Sequence, residues 1–300
     1  MQEYFYTLAD AITASLQGEE FYTCTFQAED SDFVRFNHSA IRQAGTVGQR
    51  FLTLDLIHGR RHAGAEVALS GDFEDDRARV CQSLPGLREK LPYLPEDPHL
   101  LYATTVNSSV YRGENRLPGK ADAVAAVLDA GVGRDLVGLY AAGGIYAGFA
   151  NALGQRNWYE NYSFNCDWSL YYGGDKAVKT GYAGFVWEPT VFGRKVTEAA
   201  AQLDVLSRPP RTIPPGRYRG YLAPTALYDI LQMLAWGGFG LKDHRTKQMT
   251  LLKMLEEGVK LHPSVTIREN TRDGVAPNFQ EAGFIKPDQV TLIEAGALRD

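Results

Sequence analysis

The sequence predicts an α+β protein: antiparallel and mixed sheets with flanking helices in an N-terminal domain, followed by the start of a β-rich C-terminal domain. Three observations carry that expectation. Apolar and polar residues alternate with period two in several segments, the pattern of strands with one face toward a core. Segments with apolar residues at helical spacing stand before, between and after them. A Pro- and Arg-rich stretch, SRPPRTIPPGRYRG at 207–220, has no acid and reads as a stiff solvated connection. The expected organisation is therefore a domain at 1–207, a linker at 208–220, and the first part of a second domain at 221–300.

Each element follows from local pattern. Phe5, Leu8, Ala9, Ile12 and Leu16 share one face of an opening helix, with Gly18 as its stop. Tyr22, Cys24, Phe26 and Ala28 alternate with Thr23, Thr25, Gln27 and Glu29 as a first strand, and further strands are expected at 32–42 and 47–58. Phe73, Arg77, Val80, Cys81 and Leu84 mark a helix, while Pro92, Pro95 and Pro98 make a rigid loop. Val124, Val127 and Leu128 pack a short helix at 120–130.

The uncharged run at 136–153 is about long enough to span a bilayer, but Gly138, Gly143, Gly144, Gly148 and Asn151 interrupt it. Gly143–Gly144 is expected to be a hairpin turn between short strands. Trp158, Tyr162, Phe164, Cys166, Trp168, Leu170 and Tyr172 occupy one parity of a long twisted strand and are expected to face a core. Phe192, Val196, Ala199, Ala200 and Leu203 define a helix at 189–206. Beyond the linker, LAPTALYDILQMLAWGGFG reads as a strand entering a helix. Leu227, Ile230, Leu231 and Leu234 set its buried face, Pro224 suits its first turn, and Gly237–Gly238 end it.

Composition bounds the function. With 44% hydrophobic and 22% charged residues, the 300-residue chain can bury a substantial core. A net charge of -5 argues against a binder of nucleic-acid phosphates and against an anionic membrane surface as partner. Cys24, Cys81 and Cys166 are widely separated and form no CxxC pair, so reduced thiols and a cytoplasmic location are expected. The first residues carry acids and no positive n-region, unlike a secretory signal. His58 and His62 are four apart, but Gly59–Arg60–Arg61 between them reads as a turn, not a helix face. Asp243–His244 with Asp229 could orient a general base, yet no GxSxG elbow supplies a nucleophile.

The helix window also resembles the zinc helix of the TldD/PmbA (modulator of DNA gyrase) peptidases, whose active subunit carries HExxxH after such a strand and turn. Tyr228 and Met233 stand where the two histidines would fall, and Asp229 where the glutamate would be. Neither tyrosine nor methionine is a usual zinc ligand. Downstream, AWGGFGLKDHRTKQMTLLKMLEEGVKL is similar to the Gly-rich turn, basic pair and second helix of the PmbA (TldE) branch, which also lacks HExxxH. Upstream, Gly143–Gly144–Ile145 through ANALG, and VRFNHSAIRQAGTVGQRFLTLDLIHGRRHAGAE, resemble the family's glycine turn with its strand and its paired strands.

The resemblance implies a pseudo-peptidase subunit without catalytic or metal-binding residues of its own. Tyr228, Asp229, Met233, Asp243 and His244 would line a vacant site or peptide cleft. It implies no cofactor in this chain, zinc in a TldD-like partner subunit, and unfolded peptides as substrate. Two alternatives stand beside it: a hydrolase built on Asp229 with His244, and a homodimeric peptide-binding module using sheet edges. QVTLIEAGAL at 289–298 resembles a strand that in the family precedes a long remainder, which supplies a cysteine ligand in the zinc branch. The chain ends at Asp300, so the resemblance implies that this remainder is missing.

Overall fold

The structure, a computed structural model, describes residues 1–299. It divides into two units, one formed by Met1–Pro210 with Phe279–Ile285, the other by Arg211–Asn278 with the residues from Lys286 onward. In the first unit the chain runs α1 (Gln2–Ala14), β1 (Phe21–Asn37), β2 (Ala40–His58), β3 (Arg61–Ala68), α2 (Phe73–Lys90), β4 (Ser109–Arg112) and α3 (Lys120–Gly131). It continues through β5 (Asp135–Asn151), β6 (Arg156–Tyr172), β7 (Lys176–Gly184) and α4 (Pro189–Leu206). The strands form one sheet in the order β3-β2-β1-β5-β6-β4, with β7 also paired to β6. Every pairing is antiparallel except β4 with β6.

Alternation along these long strands sends the even-numbered residues of β1, β5 and β6 to one face. Two helix pairs cover that face at its two ends. At one end, Phe5, Leu8 and Ile12 of α1 and Val80, Leu84 and Leu87 of α2 pack with Tyr22, Cys24, Phe26 and Trp158. At the other, Ala123 and Val127 of α3 and Phe192, Val196 and Ala199 of α4 pack with Phe36, Leu136, Phe164, Trp168 and Leu170. On the opposite face, Phe149 and Tyr159 are covered by Phe279 of the inserted segment.

Three expectations about this unit are corrected. The strands expected at 22–29 and 32–42 are one strand up to Asn37, because Asp30 and Ser31 are paired on both sides, by β2 and by β5. The turn falls instead at His38 and Ser39, both at positive φ. Gly143–Gly144 is not a turn but the middle of β5, where Ser31 and Ser163 flank Gly143 across the sheet. A Cβ at Gly143 would overlap the Asp30 carbonyl oxygen and Ser31 Cα, so close approach rather than chain reversal requires this glycine. Within the proline-rich loop, Leu91–Tyr93 form one 3₁₀ turn carrying Pro92.

A buried carboxylate ties α1 to α2. Asp76 is fully buried and accepts from Tyr4 Oη (2.5 Å), the Ser70 and Gly71 backbone N–H groups (2.8 Å each) and Ser70 Oγ (3.1 Å). Burial alone would raise its carboxyl, but these donors outweigh it and hold it below the usual carboxylate range. With the folded value below the unfolded one, the stabilisation is complete above about pH 4 and is lost as pH falls through the folded value. Asp76→Asn is expected to cost about 2 kcal/mol at neutral pH and much less in acid, as read from urea midpoints across pH. An equal loss at every pH would show that the charge is not what stabilises this corner.

The second unit comprises α5 (Pro224–Gly238), α6 (Leu241–Arg245), α7 (Leu252–Glu256), and a sheet of β8 (Ile267–Asn270), β9 (Gln289–Glu294) and β10 (Ala297–Leu298) in the order β10-β9-β8. Its core is Met249, Leu251 and Ile293, with Leu234 and Phe239 packed against them. The strand expected immediately before α5 does not form, since 221–223 belong to no ladder among the described residues. The expected single strand at 289–298 is a hairpin, reversed at Ala295 (φ 47°) and Gly296 (φ 79°), both left-handed as a two-residue turn requires. Among the described residues no helix is long and apolar enough to cross a membrane.

Candidate functional site

The two helix pairs leave the centre of the even-numbered sheet face uncovered, and a cleft of about 530 Å³ lies there. Register explains why it is open. One row across the sheet reads Thr46, Asp32, Ala142 and Phe164; the next reads Gly48, Asp30, Gly144 and Tyr162. Ala142 and Gly144 supply almost no side chain between the acids of β1 and the ring of Tyr162, so the pleated surface has a gap. A Cβ at Gly144 would stand 2.6 Å from Tyr146 Oη and 3.0 Å from the Tyr162 ring. Tyr140 and Tyr146 flank this floor along β5, and Leu117, Pro118 and Lys120 border it before and at the start of α3.

The Tyr146 and Tyr162 hydroxyls in the cleft are held by hydrogen bonds. Tyr162 Oη donates to Glu160 Oε1 at 2.9 Å and accepts from Tyr146 Oη at 3.4 Å, and the Tyr146 and Tyr162 rings meet edge to face, 6.2 Å apart. Glu160 Oε2 also accepts from the Trp158 indole at 3.2 Å. Burial, then the bonds to Tyr146 and Glu160, raise the Tyr162 phenol, and burial pushes Tyr140 up to about 12. The Tyr140 and Tyr162 phenols are therefore neutral across the physiological range. Opposite them, Asp32 accepts from Lys120 Nζ at 2.5 Å and Thr46 Oγ1 at 2.6 Å, which hold its carboxyl below the usual range. Asp30 leans away to Arg50, 3.4 Å off.

The residues singled out from sequence lie elsewhere, in the second unit. Tyr228, Asp229 and Met233 project from α5, and all three are exposed. Leu227 and Ile230, expected on a buried face, are 45% and 42% exposed, because the unit's small core reaches only Leu234 near the helix end. The helix breaks at Trp236 and Gly237, whose φ of 75° suits glycine. Asp243 and His244 follow on α6, with His244 Nε2 3.2 Å from the Gly238 carbonyl oxygen. Among the described residues, no hydrogen bond or ion pair joins any two of these five side chains. A phenol and a thioether at 228 and 233 do not fit a zinc ion, and no three His, Cys, Asp or Glu side chains converge among the described residues.

Sequence reasoning passed over Asp30, Asp32, Lys120, Tyr140, Tyr146 and the role of Tyr162. The signal was present in parity. Asp30 and Asp32 continue the register of Tyr22, Cys24, Phe26 and Ala28, which places two acids on a face otherwise turned to a core.

No family model matches the sequence, and no curated protein matches it. Solved structures do match in fold. TldE from Thermococcus kodakarensis superimposes with a TM-score of 0.71 at 12% identity, covering 99% of this chain and 69% of that one. A candidate modulator of DNA gyrase from Thermotoga maritima gives 0.67 at 14% identity, with 99% and 69% covered. Another from Bacteroides thetaiotaomicron gives 0.64 at 13% identity, with 99% and 70% covered. The chain thus has, over nearly its whole length, the fold of TldE and of these candidate modulators of DNA gyrase.

Proposed function

We propose that this chain is a non-catalytic, TldE-like subunit that pairs with a TldD-like, zinc-bearing subunit and acts with it in the cytoplasm on unfolded peptides. The observation that carries the reading is the fold likeness to TldE over 99% of the chain, combined with tyrosine and methionine at the two positions of α5 where a zinc helix needs histidines. The exposed apolar side chains of α5, Leu227, Ile230, Met233 and Trp236, suit an element that is completed by a partner. The chain's contribution is then to shape the cavity that admits substrate, while the partner's metal activates water.

The test mixes the purified chain with an HExxxH-bearing homologue and follows mass by light scattering and cleavage of an unfolded peptide. A mixed dimer that cleaves, with no cleavage and no stoichiometric zinc in this chain alone, is the expected result. One zinc per chain by elemental analysis, or peptide hydrolysis by this chain alone that Asp229→Asn abolishes, would replace the proposal with an independent hydrolase. A stable homodimer indifferent to the homologue would replace it with a self-paired peptide-binding module.

A further inference from the structure

The uncovered centre of the sheet face combines two carboxylates, three phenol rings and a shallow floor of Ala142 and Gly144, an arrangement suited to a cation. We propose that this cleft binds the basic side chain, lysine or arginine, of an extended peptide, in exchange for the protein's own Lys120. The inference deepens the peptide-handling role above and rests on it. It assigns the substrate a chemistry.

Four observations converge. Tyr162 stands across the floor from Asp32, Tyr140 and Tyr146 flank that floor along β5, and Asp30, though turned toward Arg50, also lines the cleft, so an ammonium or guanidinium there meets both aromatic surface and negative charge. Hydrogen bonding to Glu160 fixes the Tyr162 ring before any ligand arrives. An ammonium already occupies the acidic side, since Lys120 Nζ stands 2.5 Å from Asp32 Oδ2. That resident cation is loosely held: its side chain is 80% exposed, and it is the first residue of α3, where the helix dipole disfavours positive charge. Its ion pair is with Asp32, and an incoming basic side chain can take that carboxylate over. The volume of about 530 Å³ admits a long side chain together with flanking backbone.

Other side chains fit worse. A carboxylate would face Asp30 and Asp32 across a partly desolvated space, and an aliphatic chain would add no partner for Asp32 beyond Thr46 and the exposed Lys120.

Binding of fluorescent, unstructured Gly/Ser/Ala peptides to the full chain, read by anisotropy at low salt, tests this. The peptides differ at one central position: lysine, arginine, norleucine or glutamate. Lysine and arginine are expected to bind about tenfold more tightly than norleucine, and glutamate most weakly. Asp32→Asn, checked by circular dichroism, should abolish the preference, and Lys120→Ala should tighten the lysine peptide about threefold by removing the competitor. Equal affinity for lysine and norleucine, binding of none of the peptides, a preference that survives Asp32→Asn, or weaker binding by Lys120→Ala would each overturn the proposal. These readouts need no partner subunit. Lost preference with intact pairing overturns the cleft alone, and failed pairing with intact preference overturns the subunit role alone.

Discussion

Gly143→Val is expected to destabilise the first unit by about 3 kcal/mol or prevent its folding. The new Cβ has nowhere to go: it would overlap the Asp30 carbonyl oxygen and Ser31 Cα, both parts of a neighbouring backbone that cannot rotate away as a side-chain end could. Relief requires separating β1 from β5, the central pair of the sheet. Urea unfolding followed by far-ultraviolet circular dichroism measures the loss. Gly86 in α2 is the control, because a Cβ there meets nothing within 4 Å. Gly86→Ala should be neutral or stabilising by about 0.5–1 kcal/mol through helix propensity. If both variants unfold at the wild-type midpoint, the close approach of β1 and β5 is wrong.

Trp158→Ala is expected to cost about 4 kcal/mol, the range for emptying a large aromatic from a core. Trp158 is fully buried, with its ring 5.9 Å from Phe26 and 6.4 Å from both Phe5 and Tyr6, so it joins α1 to β1 and β6 at once. Its indole N–H also holds Glu160, which in turn holds Tyr162. The same variant should therefore loosen the cleft wall as well as the core. Trp236→Ala provides the contrast: at 87% exposure it should shift the urea midpoint by no more than about 0.5 kcal/mol. A similar loss from both would mean that Trp236 is buried by a contact in solution.

Much of the fold was legible because period and burial coincide. The opening helix, the helix at 189–206 and the aromatic strand bury most of the residues their spacing selects, Trp158, Phe164 and Trp168 among them, while Tyr172 at the strand's end is 49% exposed. Errors came where a residue's local preference pointed one way and its cross-strand neighbours another. Gly143 and Gly144 favour a turn in isolation, yet β1 and β6 on either side keep them extended. Asp30 and Ser31 read as a break between strands, yet both flanking strands pair with them. The cleft depends on residues from β1, β5, β6 and α3 brought level by register, and register between strands so far apart in the chain has no local signature. Tyr228, Asp229 and Met233 could be weighed together from sequence for the opposite reason: they lie within a few residues of one another on α5.

The pairing of β1 with β5 also governs how the protein can be made. Thr23 lies opposite Asn151, so the sheet's centre closes only after a long intervening chain has been synthesised. Until then α1, β1, β2, β3 and α2 can assemble as a local unit, with β1 as an edge bearing unpaired backbone groups along its whole length. Such an edge invites pairing with another nascent chain. Asp30 and Asp32, placed on β1 beside Glu29, put negative charge on that temporary edge. Charge on such an edge is one way proteins discourage strand addition, so the acids that line the finished cleft lie where they would oppose it.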